Sequence, residues 1–209
     1  MPDSAATAPA ADSRVVVDVG PLTEADVVAV ARHGAGVALS EAARTAIAAT
    51  RGVIDALAED AVPHYGISTG FGALATTSIP PEKRADLQRS LIRSHAAGSG
   101  APVETEVVRA LMLLRLSTLA TGRTGIRLAT AELLADLLDR GITPVVPEYG
   151  SLGCSGDLAP LAHVAMVLIG EGVVLGPDGS PRPAAEALAA AGLSPVSYTH
   201  LTLPTKRIV

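Results

Sequence analysis

Cys154-Ser155-Gly156 is the one stretch of this chain whose residue types can turn their own backbone into a catalytic group. Attack of the Gly156 nitrogen on the carbonyl carbon of Cys154 closes a five-membered ring. Loss of two waters then leaves an electrophilic methylidene where the Ser155 side chain stood. Glycine belongs at the nucleophilic position because ring closure needs backbone torsions and a close approach that a Cβ resists. The product is covalent and invisible in the encoded sequence. Read plainly, the same residues form a Gly/Ser-rich turn in which Asp157 caps an apolar helix and Pro160 occupies its first turn, where a missing N–H costs nothing.

Two other clusters contain chemistry-bearing side chains. His64-Tyr65-Gly66-Ile67-Ser68-Thr69-Gly70-Phe71-Gly72 sets a tyrosine and the chain's only phenylalanine in a glycine-rich segment. Arg93-Ser94-His95-Ala96-Ala97-Gly98 places a hydroxyl and an imidazole at the end of a helical pattern. Taken singly, the first is a turn with two aromatic anchors and the second a satisfied helix-end histidine. Other patterns fail: Gly34-Ala35-Gly36 lacks the third glycine of a dinucleotide fingerprint, Gly122 to Gly125 lacks the Gly-Lys-Ser/Thr of a phosphate loop, and no histidine pair has metal-ligand spacing.

Taken together, these strings resemble the histidine and aromatic amino acid ammonia-lyases. The run from Gly150 to His163, G-S-L-G-C-S-G-D-L-A-P-L-A-H, is similar to the family's prosthetic-group signature. Residues 65–72 match its Y-G-x-x-T-G-F-G segment, and order and separation agree as well. Leu114 to Gly125 resembles a third segment, with Ser117 in place of the commoner Asn and Thr124 in place of Ser; Cys154 stands where most members have Ala. The resemblance implies that Cys154, Ser155 and Gly156 cyclise to a methylidene-imidazolone (MIO) and that no diffusible cofactor or metal is needed. Tyr65 then corresponds to an active-site tyrosine that orients substrate or moves a proton. Ser94-His95 corresponds to the substrate side-chain selector, where relatives acting on tyrosine usually carry His-Leu and those acting on phenylalanine Phe-Leu. His95 is therefore expected to hydrogen-bond a substrate imidazole, making the implied reaction elimination of ammonia from L-histidine to give urocanate. A tyrosine or phenylalanine ammonia-lyase, or an aminomutase of the same family, is the alternative; a non-enzymatic helical assembly module that keeps the loop without cyclising it is another.

The elements that must position these residues read as mainly α. Thr23 to Asp26 and Ser40-Glu41 are helix starts, the second opening an Ala-rich helix to about Leu57. Further helices are predicted from Pro81 to before Gly98, over Val103–Leu119, over Leu128–Leu138 with Gly141 as its left-handed stop, over Leu158–Ile169 and over Ala184–Ala191. Residues 64–81 read as a loop, the β-branched run Val15–Val19 as a strand or an extended lead-in, and no strand set large enough for a sheet is evident. By the resemblance this is the N-terminal part of the L-aspartase/fumarase-like helical fold. Family chains run more than twice this length, with active sites assembled from three subunits of a homotetramer. The expectation is a chain truncated before most of the central helix bundle and inactive alone.

Composition sets outer bounds. With 209 residues and 48% hydrophobic content the chain can bury a core, and its net charge of −5 with scattered signs offers no basic stripe for nucleic acid. Aromatic content of 2% removes the stacking platforms that single-strand binders use. The longest apolar run, broken by Pro160 and His163, is too short for a membrane span. One cysteine makes no internal disulfide, so the cytoplasm is the expected compartment. Residues 1–14, rich in Ala, Ser, Pro and Asp, read as a disordered leader without a signal-peptide pattern. Residues 15–196 read as the MIO-bearing helical domain. Residues 197–209 alternate polar and apolar types after an Ala/Leu-rich chain and read as a non-native tail, with an edge strand as the competing view.

Overall fold

The computed structural model describes residues 14–152, 158–176 and 178–196. The tail, the leader up to residue 13 and the cyclisable tripeptide lie outside the described residues. Arg14, grouped with the leader by composition, instead opens the first strand, and its guanidinium donates to both carboxylate oxygens of Asp139 at 2.9 Å.

Seven helices are described: α1 (Glu24–Ala31), α2 (Glu41–Glu59), α3 (Pro81–His95), α4 (Thr105–Ala120), α5 (Leu128–Asp139), α6 (Leu158–Leu168) and α7 (Ala184–Ala190). Their starts follow local chemistry. The Thr23 side chain accepts the Asp26 N–H while the Asp26 carboxylate accepts the Thr23 N–H at 2.9 Å, a reciprocal box that satisfies two otherwise orphaned donors. Ser40 Oγ accepts the Ala43 N–H at 3.0 Å at the head of α2. Helix α5 stops where Gly141 takes φ +67° and the Ile142 N–H reaches back to the Leu137 carbonyl at 2.8 Å.

Helix α4 is the hub. Val108, Met112 and Leu116 recur at four-residue spacing, and with Leu113 and Leu119 they are buried. This helix packs against α1, α2 and α5, whose Val30, Ile47, Leu134 and Leu137 complete the same core. Arg109, on the same helix, is only 6% exposed. Its Nε donates to the Val30 carbonyl at 3.0 Å and its Nη1 to the Leu138 carbonyl at 3.2 Å. One planar guanidinium thus caps the carboxyl ends of α1 and α5 together, where the helix dipoles favour a cation.

The chain also forms three small sheets, where the sequence suggested no strand set large enough for one; of their strands the pattern marked only the β-branched run Val15–Val19, as a strand or an extended lead-in. β1 (Arg14–Val17) pairs in parallel with β2 (Gly36–Leu39); β3 (Ser99–Pro102) pairs antiparallel with β5 (Pro147–Tyr149); and β4 (Thr143–Pro144), β6 (Val173–Leu175) and β7 (Pro181–Pro183) form an antiparallel trio. Strands of two to four residues are shorter than the window over which alternation can be read. The β3–β5 pair matters most for position. It sets the segment following α3 beside the segment that leads into the tripeptide, with Ser99 opposite Tyr149 and Pro102 opposite Pro147.

Replacing Arg109 by Met leaves two buried helix-end carbonyls without their donor. A loss of about 2–4 kcal/mol in urea-unfolding free energy is expected, with Arg109→Lys recovering part of it. A change within about 0.5 kcal/mol, the range of ordinary surface substitutions, would refute the double-cap role.

Candidate functional site

The Tyr65 loop is built on backbone. The His64 carbonyl accepts N–H groups from Ile67, Ser68 and Thr69 at 3.0–3.2 Å, and Ser68 Oγ accepts the His64 N–H at 2.8 Å. Two further bonds, Gly70 N–H to the Thr77 carbonyl at 3.2 Å and Ile79 N–H to the Ser68 carbonyl at 2.8 Å, close the loop on itself. Arg84 of α3 ties it down by donating to the Ile79 and Ala58 carbonyls at 3.1 and 2.8 Å. Gly66 takes φ +71°, and a Cβ there would lie 2.8 Å from Phe71 Cε1. The Phe71 ring can therefore meet Tyr65 edge-to-face, with centroids 5.8 Å apart and planes at 82°. Tyr65 is 40% exposed, and its hydroxyl accepts the Gly72 N–H at 3.3 Å. That bond uses an oxygen lone pair, so the phenolic proton is not committed to it.

Ser94 and His95 are brought together at the last turn of α3. Ser94 Oγ donates to the Leu91 carbonyl at 2.8 Å, and His95 Nδ1 lies 2.9 Å from the same oxygen and 3.0 Å from Ser94 Oγ. A carbonyl only accepts, so the His95–Leu91 bond assigns the hydrogen to Nδ1 and, in the neutral ring, leaves Nε2 as an acceptor. Tyr65 makes its contacts within its own loop, with Phe71 and Gly72.

Immediately after His95 the chain turns sharply. The Ala97 N–H reaches the His95 carbonyl at 2.8 Å across Ala96, which has φ −75° and ψ 56°, an inverse γ-turn. The next amide, Gly98 N–H, donates to Nε2 of His163 on α6 at 3.1 Å. Gly98 also lies against Gly150: a Cβ on Gly150 would be 3.2 Å from Gly98 Cα and 3.1 Å from Ala159 Cβ. The turn after His95, the strand entering the tripeptide and the helix leaving it thus meet at one glycine-on-glycine contact. Arg93 and Glu171 add a two-pronged ion pair at 2.8 and 2.6 Å, which holds the Glu171 carboxyl below its usual range.

Cys154, Ser155 and Gly156 lie outside the described residues, so only their flanks are placed. His163 is the residue whose role sequence reasoning passed over, having entered as the final letter of the 150–163 string and as a break in the apolar run. The available signal was its position as the single polar side chain of Leu158–Leu168. It is half-buried, and burial pushes its pKa below the usual histidine value. Segment 114–125 serves a different purpose: the Thr50 hydroxyl donates to the Gly122 carbonyl and Arg51 Nη1 to the Gly125 carbonyl at 3.4 Å, seating α2 on the α4–α5 connection. A cavity of about 430 Å³ lies elsewhere, between the start of α5 and residues 192–196, and no sequence-predicted site residue lines it. Among the described residues no group of three or more His, Cys, Asp or Glu could hold a metal ion, and no helix is long and apolar enough to cross a membrane.

A sequence model of the family described as aromatic amino acid lyase matches residues 22–200. The chain belongs to that family. Among curated aromatic amino acid lyases it is 62% identical over 182 residues to the histidine ammonia-lyase of Streptomyces coelicolor, covering 87% of this chain and 36% of that protein. Among solved structures it is similar to histidine ammonia-lyase from Trypanosoma cruzi, with TM-score 0.80, 36% identity, and coverage of 89% of this chain and 35% of the other. Tyrosine aminomutase from Streptomyces globisporus gives TM-score 0.81 and 41% identity over 88% of this chain and 34% of the other. The chain therefore spans about a third of the length of the lyases and aminomutases it matches. The mainly α architecture read from sequence agrees with these folds.

Since folding lowers the His163 pKa, the unfolded chain binds that proton more readily. Its contribution to stability is complete above the ordinary histidine pKa near 6.5 and is lost as pH falls through that value toward the lower folded-state one. The urea midpoint is expected to drop further between pH 7.5 and about 5.5 in the wild type than in His163→Gln. Equal drops in the two proteins would remove this linkage.

Proposed function

We propose that the protein to which this chain belongs is a histidine ammonia-lyase, eliminating ammonia from L-histidine to give urocanate at a group formed from Cys154, Ser155 and Gly156. The observation that favours histidine is the Ser94-His95 pair. With Nδ1 turned onto the Leu91 carbonyl, His95 Nε2 is available to accept an N–H, which a substrate imidazole provides and a phenyl ring does not. The 62% identical relative named histidine ammonia-lyase supports the same reading.

The residues present fit the prosthetic group. Gly156 provides an amide nitrogen without a Cβ, and Gly150 lies so close to Gly98 and Ala159 that the entering strand is held where a larger residue would displace it. Once formed, the MIO supplies an electrophile that activates the substrate for loss of its amine. The chain's own residues do the rest of what can be derived. Helix α6 begins at Leu158, directly after the tripeptide, and its positive dipole end favours negative charge there. Tyr65 holds or moves a proton through a hydroxyl whose hydrogen is not used by Gly72. His95, with Ser94 beside it, orients the substrate side chain. The working protein is proposed to be a cytoplasmic homotetramer with no diffusible cofactor, the rest of each active site coming from segments beyond this chain. The similarity to tyrosine aminomutase favours one alternative, an aminomutase sharing the group.

The test uses the complete reading frame. The intact mass is expected about 36 Da below the encoded value, the loss of two waters, and Ser155→Ala is expected to abolish both the deficit and urocanate formation. His95→Leu is expected to raise KM for L-histidine roughly tenfold or more, the unpaired imidazole N–H being desolvated without a partner. An unshifted wild-type mass would sink the MIO assignment. Turnover of tyrosine or phenylalanine in preference to histidine would sink the substrate.

A further inference from the structure

We propose that His163 is a positioning residue for the substrate selector: its Nε2 accepts the Gly98 amide and so fixes where the last turn of α3 presents His95 relative to the strand and helix that flank Cys154-Ser155-Gly156. This rests on the reading of His95 as the selector. The imidazole sits on a helix whose other ten side chains are apolar, where a polar group is costly to bury without a partner. Its partner is an amide that no helix or sheet ladder accommodates. Gly98 comes after the γ-turn that ends α3 and just before Ser99, where β3 begins. A single bond at 3.1 Å therefore satisfies an otherwise orphaned donor and an otherwise orphaned acceptor together.

The restraint reaches His95 by a short and stiff path. Gly98 is three residues from His95, and the intervening turn is closed by the Ala97 N–H on the His95 carbonyl at 2.8 Å. A Cβ on Gly98 would lie 3.0 Å from His163 Nε2 and 3.2 Å from the Tyr149 carbonyl oxygen, so Gly98 is packed closely between α6 and β5. The β3–β5 pairing and the α3–α6 packing set the general course of the chain here, and the Arg93–Glu171 pair joins partly solvated side chains that contribute little positional energy, so the Gly98–His163 bond is the restraint specific to the turn itself. Moving His95 by a fraction of an ångström changes how a substrate side chain is held without touching the group that performs the elimination. The effect should therefore appear in KM rather than kcat.

The experiment compares His163→Gln, His163→Asn and His163→Leu in the complete protein. A glutamine amide oxygen can reach the Nε2 position; an asparagine oxygen falls near Nδ1, short of Gly98; leucine accepts nothing. Residue-resolved hydrogen exchange of the Gly98 amide is read first, since it needs no substrate. Protection is expected in wild type and Gln and exchange at least about tenfold faster in Asn and Leu, the loss expected for one intramolecular hydrogen bond. KM for the amino acid that the wild type turns over should rise about five- to tenfold in Asn and Leu and return to within twofold in Gln. In all three, kcat should stay within about twofold and the 36 Da deficit persist. If Leu fails to fold, the Gln and Asn pair decides. Gln behaving like Asn, Gly98 exchange insensitive to all three, or kcat falling in step with KM would each overturn the proposal. An unshifted mass or absent urocanate in wild type would instead strike the functional reading, with the exchange comparison still deciding the restraint.

Discussion

Two backbones meet with no side chain between them at Gly98 and Gly150, and the placement of the end of α3 beside the two flanks of the tripeptide depends on that approach. Either residue given a Cβ would press on its neighbours by a few tenths of an ångström, because the spaces are already occupied by Ala159, the Tyr149 carbonyl and the His163 ring. The contact is short in sequence from every group of interest. It lies three residues from His95, four from Cys154 and eight from Leu158, where α6 begins. A cyclising tripeptide needs this kind of surrounding: ring closure must bring an amide nitrogen onto a carbonyl carbon that ordinary extended or helical backbone keeps apart. The close approach at Gly150 fixes where the chain enters that segment.

The core stands behind that contact without taking part in it. Helix α4 collects α1, α2 and α5 by apolar packing, and Arg109 closes two helix ends at once from inside. Helices α3 and α6 pack on each other and hold the two sides of the site. The electrostatics are divided the same way. Ion pairs such as Arg93–Glu171 and Arg32–Glu106 sit at the surface, where screening weakens them, whereas the buried Arg109 and the half-buried His163 bond to backbone.

The helices were legible because their starts and stops are written in local chemistry. Thr23, Ser40 and Gly141 act as caps in the structure for the reasons their residue types suggest. The strands were not, since Gly36–Leu39 or Pro181–Pro183 acquires strand character only from a partner far away in the chain. At the site, Tyr65 and the Ser94-His95 pair stood out by type and spacing. The direction of the His95 ring did not, because it depends on which carbonyl Nδ1 finds. His163 was hidden for a related reason: a lone polar residue on an apolar helix has no meaning until the amide it accepts, 65 positions earlier, is brought against it.

That hidden bond bears on how one scaffold can act on different side chains. The lyases and aminomutases that share this fold have this part of the structure in common, so on the proposed reading the residues presented beside the tripeptide are one place where their substrates are told apart. A selector at a helix end is well suited to this. Its side chain can change, as Ser94-His95 differs from His-Leu or Phe-Leu, while the backbone that carries it remains held from behind. The half-buried His163 sits on the helix that follows the tripeptide, so one element, α6, flanks the residues proposed to cyclise and also registers the end of α3. Displacing the end of α3 alone then alters how a side chain is held, while α6 and the flanks of the tripeptide stay in place. No direct contact between His95 and Ser155 is required.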